Sequence, residues 1–513
     1  MKRRLVILTL VVAVALVLPL GSVQAREGGD MNIAIGADPE SLDPAEAESS
    51  PAAMVMIHAM EGLFDMTPDG EIVPHLARDY EVSEDGLEYE IYLREGIEFH
   101  DGAYFDAEAV EYNLERLQDE AAPFAFLIDE VTEVEVVDDY TVRLHTDEPF
   151  APLMAHLSHD FLSMVSPEAV EEYGDDFSVN PVGTGPFEFV EWTRGEEVVM
   201  ERNEDYWDDK AYLDSITFSI APEDSTRVVM VETGEADAAM FVPPREMERL
   251  QDVPEVNIVQ ETSLRTIYAG MNTRQEPFDD VRVRQAVNYA VDNEAIVEQV
   301  MDGAGSPSDA PISPDIFGYE GQEPYEYDPD RARELLEEAG YEDGFSTTFH
   351  HPEGRYMMDT TVAQAIQSQL ADVGIDAELE TMEWATYLEF LDEAPEDAEH
   401  EMYLLGWGSV TGDADYGLYA LFHSSEWAPY GSDYSYLGDD RVDELLEEAR
   451  INPDPEDREG VYAEAIEIIW EEAPWLFLHS EVQINAVREG VEGLIHHPRE
   501  FIFAGEAYFE EDN

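Results

Sequence analysis

The segment "VAQAIQSQLADVGIDAELETM" (residues 362–382) reads as a helix, a stop at Gly374 and then a strand. Such a unit must bury one helical stripe and one sheet face together, and an α/β layer satisfies both. The pattern continues around it. "DPDRARELLEEAGY" offers Asp328 as a cap, Pro329 in the first turn, leucines on one face and Gly340 as the stop. "DDRVDELLEEARINPDPEDREGVYAEAIEIIWEEAPW" reads as two helices joined at a proline-containing turn. Upstream the signals are shorter: "MNIAIG" precedes the turn-rich "ADPESLDP", and "LEYEIYL" and "YTVRLH" alternate as half-buried strands do. The last segment, "QINAVREGVEGLIHHPREFIFAGEAYF", returns to strand-like alternation, as a chain crossing back into its first domain would show. No period of about 20 to 50 residues recurs, which argues against a solenoid. A mature chain of about 490 residues exceeds one core, so two or three domains are expected, the second beginning near residue 275.

Whether such a chain can fold depends on its charge. It carries 119 Asp+Glu against 26 Lys+Arg, a formal net charge of -93, yet 44% of its residues are hydrophobic. Disordered acidic chains lack this content. The acids are spread along the length, and beyond Lys2 the only lysine is Lys210. Their repulsion reaches about 30 Å at 0.01 M salt and about 3 Å at 1 M, so the composition reads as adaptation to high salt. Nucleic acid and anionic membranes are poor partners, because phosphate contact needs clustered Lys and Arg. The same excess makes paired carboxylates common by chance.

Residues 1–25 read as a secretory signal peptide: Lys2, Arg3 and Arg4, then the apolar "LVILTLVVAVALVLPL", then the small-residue site "SVQA". With no cysteine, the chain has no disulfide, no thiol nucleophile, no Cys-ligated metal and no lipid-bearing cysteine at the cleavage site. A periplasmic location is expected.

Catalytic signatures are missing: there is no H-E-x-x-H, G-x-S-x-G, Walker loop or G-x-G-x-x-G. "PVGTGPF" (residues 181–187) lacks the Lys-Ser/Thr of a phosphate cradle and leads into the strand "FEFVEW", so it reads as a tight turn. His350/His351 and His496/His497 are poor metal sites, since strand neighbours point to opposite faces. In "LLGWGSVTGDADYGLYALF" (residues 404–422), Asp413 and Asp415 stay open to three readings: an acid pair, a calcium site with an incomplete loop, or a solvated turn. No cofactor and no metal is implied. Arginine is scarce and therefore more informative. Arg355, in "HHPEGRYMM", lies in a loop between the strand "STTFHH" and the helix "TTVAQAIQSQL", where its fork can meet a ligand carboxylate or a surface acid.

Several runs carry a resemblance. "GADPESLDP", "LREGIEFHDGAYFDAEAVEYNLER", "NPVGTGPFEFVEWTRGEEVVMERNEDYW", "MNTRQEPFDDVRVRQAVNYAVDNEAIV", "DPDRARELLEEAGY" and "IIWEEAPWLFLHSE" resemble, in order, segments of the extracytoplasmic solute-binding proteins of peptide-type ABC transporters. Within that dipeptide, oligopeptide, nickel and glutathione group, "GWGSVTGDAD" is most similar to the glutathione-binding branch. The resemblance implies an α/β, two-lobed periplasmic-binding-protein-like fold (type II, cluster C) with an extra subdomain in lobe I. Lobe I is expected over residues 27–272 plus 486–513, with the subdomain near 65–185, and lobe II over 273–485. It further implies a monomeric, non-enzymatic protein that closes on a short peptide or peptide-like solute and hands it to permease subunits driven by cytoplasmic ATPases.

Site residues follow from the same resemblance. The acid that holds the α-amino group in dipeptide-type members falls on Val410 here, which makes Asp415 the candidate ammonium partner, with Asp413 beside it. Arg355 matches the region of a carboxylate-binding arginine; Trp407, Tyr416 and Tyr434 are candidate cleft aromatics, and Glu48, Ser49 and Ser50 face the cleft from lobe I. Two other readings compete: a binder of a nickel chelate, oligosaccharide or opine, and an exported hydrolase with Asp413/Asp415 as its acids, which would need carboxylates about 5 to 5.5 Å apart for a retaining mechanism.

Overall fold

Two long antiparallel strands join the halves of the protein. The structure is a computed structural model that describes residues 26–119, 122–353 and 355–510; the expected signal peptide lies outside them. The main sheet is built from β1 (Asp30–Ile35), β2 (Phe187–Thr193), β3 (Glu197–Arg202), β4 (Ser215–Ile220), β5 (Ala238–Ala239), β6 (Val256–Met271), β7 (Phe345–Pro352), β8 (Ile375–Met382), β9 (Met402–Gly408) and β10 (Trp475–Arg488). Their spatial order is β8-β7-β9-β6-β10-β5-β1-β4-β3-β2, with the short strand Gly305–Pro307 beside β10. At one end β8, β7 and β9 are parallel, and towards the other β5, β1 and β4 are parallel. Parallel neighbours need a crossover, and the helix Asp359–Asp372 supplies it between β7 and β8.

β6 and β10 are long because each serves both halves. Val256–Thr262 pairs with Val482–Arg488, where β10 also meets β5. Beyond Thr266 the same strand pairs with Trp475–Ser480 on one side and with β9 on the other. The register breaks between Thr262 and Thr266, inside β6 and upstream of the expected lobe limit at 272.

Each half has its own core. Met31, Ile33 and Ile35 pack with Phe187, Phe218 and, from the C-terminal return, Phe501 and Ile502. The C-terminal segment thus supplies side chains to the core around β1. A separate cluster of Leu63, Ile91, Leu114, Val142 and Leu153 surrounds a four-stranded sheet formed by Ala77–Val82, Glu88–Leu93, Val131–Asp138 and Thr141–Thr146. The second lobe buries Ile267, Leu335, Phe349, Ile366 and Leu404 on one side of its strands, and Tyr268, Leu418, Leu445, Ile466 and Trp475 on the other. Each such side chain contributes about 1.5–3 kcal/mol, and their sum sustains the fold against the surface repulsion. The result is a mixed α/β protein of two lobes.

Local signals were reliable where backbone geometry enforced them. Asp328 accepts from the amides of Asp330 and Arg331, and Gly340 closes that helix at φ +94°. "PVGTGPF" is a turn into β2, and its glycine has a steric cause: a Cβ on Gly183 would lie 2.2 Å from the carbonyl oxygen of Ala59. His351 is hydrogen-bonded to Pro352 O and Thr381, and His497 to Met66 O, so neither histidine pair is arranged as a ligand pair.

Candidate functional site

The second lobe's wall is built by α1 (Trp384–Leu391), α2 (Ala414–Phe422), α3 (Asp440–Ile451) and α4 (Pro455–Glu472), with β9 behind them. Between the lobes lies a cavity of about 380 Å³. Small-molecule sites commonly measure about 300–1,000 Å³. Glu48, Ser50, Phe124, His159 and Asp160 face it from the first lobe, and Arg355, Tyr356, Trp384, Trp407, Tyr416 and Tyr434 from the second.

Three guanidinium groups reach this cavity, and two of them are committed. Arg265 donates to Glu500 at 3.0 Å and lies 3.4 Å from Glu481. Arg499 donates to Val410 O at 2.6 Å, Ser158 O at 2.9 Å and Asp160 at 3.1 Å, which ties one lobe to the other. Arg355 has no ionic partner among the described residues. Its guanidinium carbon sits 5.0 Å from the ring centroids of both Tyr356 and Trp384, a cation–π arrangement that holds the charge without neutralising it. The loop beneath is pinned because the amides of Arg355 and Tyr356 both donate to the Asp359 carboxylate, at 2.9 and 3.3 Å. On the facing lobe Glu48 is exposed and likewise lacks an ionic partner among the described residues. The cavity thus presents one free anion and one free cation on opposite walls.

Trp407 donates from its indole to Tyr416 O at 3.2 Å, and the two rings are 5.2 Å apart. Tyr416 also stacks at 6.1 Å on Phe126 of the first lobe, so this aromatic wall connects the two lobes. Tyr434 packs edge-on against Tyr403 and lines the same cavity.

Asp413 and Asp415 are placed elsewhere. Asp413 is buried, accepts from Arg458 Nη2 at 2.9 Å through both oxygens and from Tyr462 at 3.2 Å, and caps α2 through the amide of Asp415 at 3.0 Å. Asp415 is also buried, 3.0 Å from Arg450 Nε and 3.5 Å from His156 of the first lobe; these partners hold its carboxyl below the ordinary range although burial pushes it up. Neither lines the cavity, and a carboxylate already neutralised by an internal cation has little left for a ligand ammonium. Ser49 also turns away: its hydroxyl bonds Glu40, and its amide donates to Glu40 at 2.9 Å. Ser49, Asp413 and Asp415 thus lie on internal partners, outside the lining of this cavity.

Sequence reasoning passed over Arg265, Arg499, Tyr356 and Trp384. The signal for Arg265 was available: a lone guanidinium inside the apolar strand "LRTIYAG" needs internal partners. Nothing local marks Arg499, whose partners come from residues 158–160 and 410.

Comparison with known proteins agrees with this geometry. The model of bacterial extracellular solute-binding proteins, family 5 (Middle) matches residues 71–429. The glutathione-binding protein GsiB of Salmonella paratyphi A is 35% identical over 485 residues, covering 94% of each chain. The periplasmic binding protein DppA of Helicobacter pylori, solved with the peptide STSA, superposes with a TM-score of 0.80 at 30% identity over 95% of this chain and 99% of that one. A dipeptide-binding protein of Pseudoalteromonas sp. SM9913, solved with Met-Leu, gives a TM-score of 0.80 at 26% identity over 94% and 100%. A likeness that spans both lobes and the crossing strands leaves one assignment: the chain belongs to the bacterial extracellular solute-binding proteins of family 5.

Proposed function

We propose that this protein is the substrate-binding component of an ABC importer, capturing a short peptide or peptide-like solute in the interlobe cavity and delivering it to the membrane permease. Relatives that bind glutathione or carry a bound peptide support the ligand class. One observation carries the site: Arg355 and Glu48 are the two charged lining groups without an ionic partner among the described residues, and they come from opposite lobes. That pair suits a zwitterion, with its carboxylate on Arg355, its ammonium on Glu48 and its backbone against Trp384, Trp407 and Tyr434. Glutathione or a γ-glutamyl compound is the preferred subclass.

The family and its named relatives imply a binding role, and we read the chain as a non-enzyme that acts as a monomer in the periplasm. The acids a hydrolase would need, Asp413 and Asp415, are occupied by Arg458 and Arg450. No helix among the described residues is long and apolar enough to cross a membrane.

Thermal shift and calorimetry in about 1 M NaCl test the reading, with glutathione, di- and tripeptides, nickel–histidine and sugars as ligands. A true ligand at 100 times its Kd should stabilise by about 2.7 kcal/mol. Arg355→Ala should weaken a carboxylate-bearing ligand by about 2–5 kcal/mol if docking takes the ion pair out of water. Stabilisation by sugars alone, or unchanged affinity in Arg355→Ala, would overturn the proposal.

A further inference from the structure

Behind the free cation lies a charged cluster that ligand binding must disturb. Arg265 stands in the register break of β6, Glu481 faces it from β10, and Glu500 reaches it from the C-terminal turn. The three side chains are nearly buried, at 12–13% exposure. Glu500 is fully engaged, accepting two bonds from Arg265 at 3.0 and 3.2 Å and one from Ser263 at 2.8 Å. Glu481 is the weaker partner: it lies 3.4 Å from Arg265 and accepts from the Met357 amide at 3.3 Å. The groups facing Glu481 are Arg265 from β6, Glu500 from the turn, and Arg355 and Tyr356 from the loop after β7.

In the unliganded protein Arg265 alone is paired with the two carboxylates, Glu481 and Glu500, while Arg355 stands nearby with its charge unpaired. A ligand carboxylate docked on Arg355 adds negative charge beside this nearly buried cluster and offsets the Arg355 charge that reaches Glu481. A buried excess charge is relieved most cheaply by protonation.

We propose that Glu481 is a protonatable positioning residue of the carboxylate subsite, taking up one proton from solvent when a ligand carboxylate docks on Arg355. This rests on the function proposed above. It acts through Arg265 and Arg355, since Glu481 is not itself among the cavity's lining residues. Burial pushes Glu481 up to about 7, with Glu500 adding to the rise and Arg265 and Arg355 opposing it. Arg265 holds Glu500 below its ordinary range despite burial. The sign follows. Burial already raises the proton affinity of Glu481 above that of an ordinary carboxylate, and the ligand's charge raises it further. Affinity is therefore flat at lower pH and falls as pH rises above about 7, by at most tenfold per unit for one proton.

The test is calorimetry at about pH 8 in HEPES and in Tris, two buffers of different ionisation enthalpy, with reduced glutathione and Ala-Ala-Ala as probes. Protons exchanged by the probe itself appear equally in every variant, so the difference between proteins isolates Glu481. Wild type should take up about half to one proton more than Glu481→Gln, and the variant's affinity should stay level where that of wild type declines. Equal uptake in the two proteins would overturn the assignment while leaving the binding function intact. No isotherm with either probe would overturn both. Glu500→Gln is a second route if Glu481→Gln does not fold. With its anionic neighbour removed, Glu481 should ionise more easily, and the fall in affinity should begin at lower pH; an unmoved onset would refute the proposal.

Discussion

Asp413 offers the sharpest test of how the "TGDAD" segment works. Its carboxylate neutralises Arg458, which is itself buried, with 7% of its side chain exposed and Nε bonded to Ala449 O at 3.1 Å. Asp413→Asn keeps an oxygen to cap α2 but leaves the Arg458 charge uncompensated, and removing one partner of a buried pair costs about 3–5 kcal/mol. Asp413→Ala loses the cap as well, for about 1 kcal/mol more. For a lobe of roughly 200 residues, 1 kcal/mol moves Tm by about 2–4 °C, so Asp413→Asn should melt about 6–20 °C lower. Replacing Asp413 and Arg458 together by leucine and methionine should recover most of that loss, because no buried charge remains. Differential scanning calorimetry gives the stabilities, and titration at a temperature where both proteins are folded gives ligand affinity. The expected pattern is a large stability loss with affinity retained. A variant that melts with wild type yet no longer binds glutathione would refute the reasoning and return Asp413 to the ligand site.

Other consequences can be checked in the same way. Glu61 is a buried carboxylate that accepts from His75 at 2.9 Å, Thr184 at 2.7 Å, Tyr206 at 2.5 Å and Trp207 at 2.8 Å. Burial opposes both charges, but the pairing holds Glu61 below its usual 4.5 and His75 above its usual 6.5. The Glu61 contribution is present above about 4.5 and lost in acid, and the His75 contribution is present below about 6.5 and lost in base. Glu61→Gln should thus cost about 1.5–3 kcal/mol in urea denaturation between those limits, and less outside them. His479 is buried with neither ring nitrogen hydrogen-bonded among the described residues, and burial pushes it down to about 4. Its unfolded form binds the proton first, so stability is full above about 6.5 and falls towards pH 4; His479→Leu should remove about 3 kcal/mol of that acid sensitivity. Gly183→Ala forces a Cβ against Ala59 O and should lower stability by about 1–3 kcal/mol, with affinity unchanged.

Much of the fold was legible because its signals are local. A helix needs its cap at Asp328, its stop at Gly340 and its apolar stripe within one short stretch, and all three stand next to each other in the chain. The strand-like period of the C-terminal tail was local too, and its Phe501 and Ile502 pack beside β1. The candidate cleft aromatics Trp407, Tyr416 and Tyr434 came from the family resemblance, and all three line the cavity. The charged residues of the site divide differently. Arg355 could be singled out because cations are scarce in this chain. Asp415 could not be judged, because the groups that stand against it, Arg450 and His156, come from α3 and from the other lobe.

The sequence alone determined the α/β class and the two-part organisation, since periodicity, caps and composition act over a few residues at a time. Only the tertiary structure decided which charges are spent inside the protein and which are free for a ligand. In a chain with 119 acids, that depends on long-range pairing. Arg458 neutralises Asp413 from 45 residues away, and Arg265 is shared by two carboxylates more than 200 residues distant, while Arg355 is left stacked between Tyr356 and Trp384 with its charge still available.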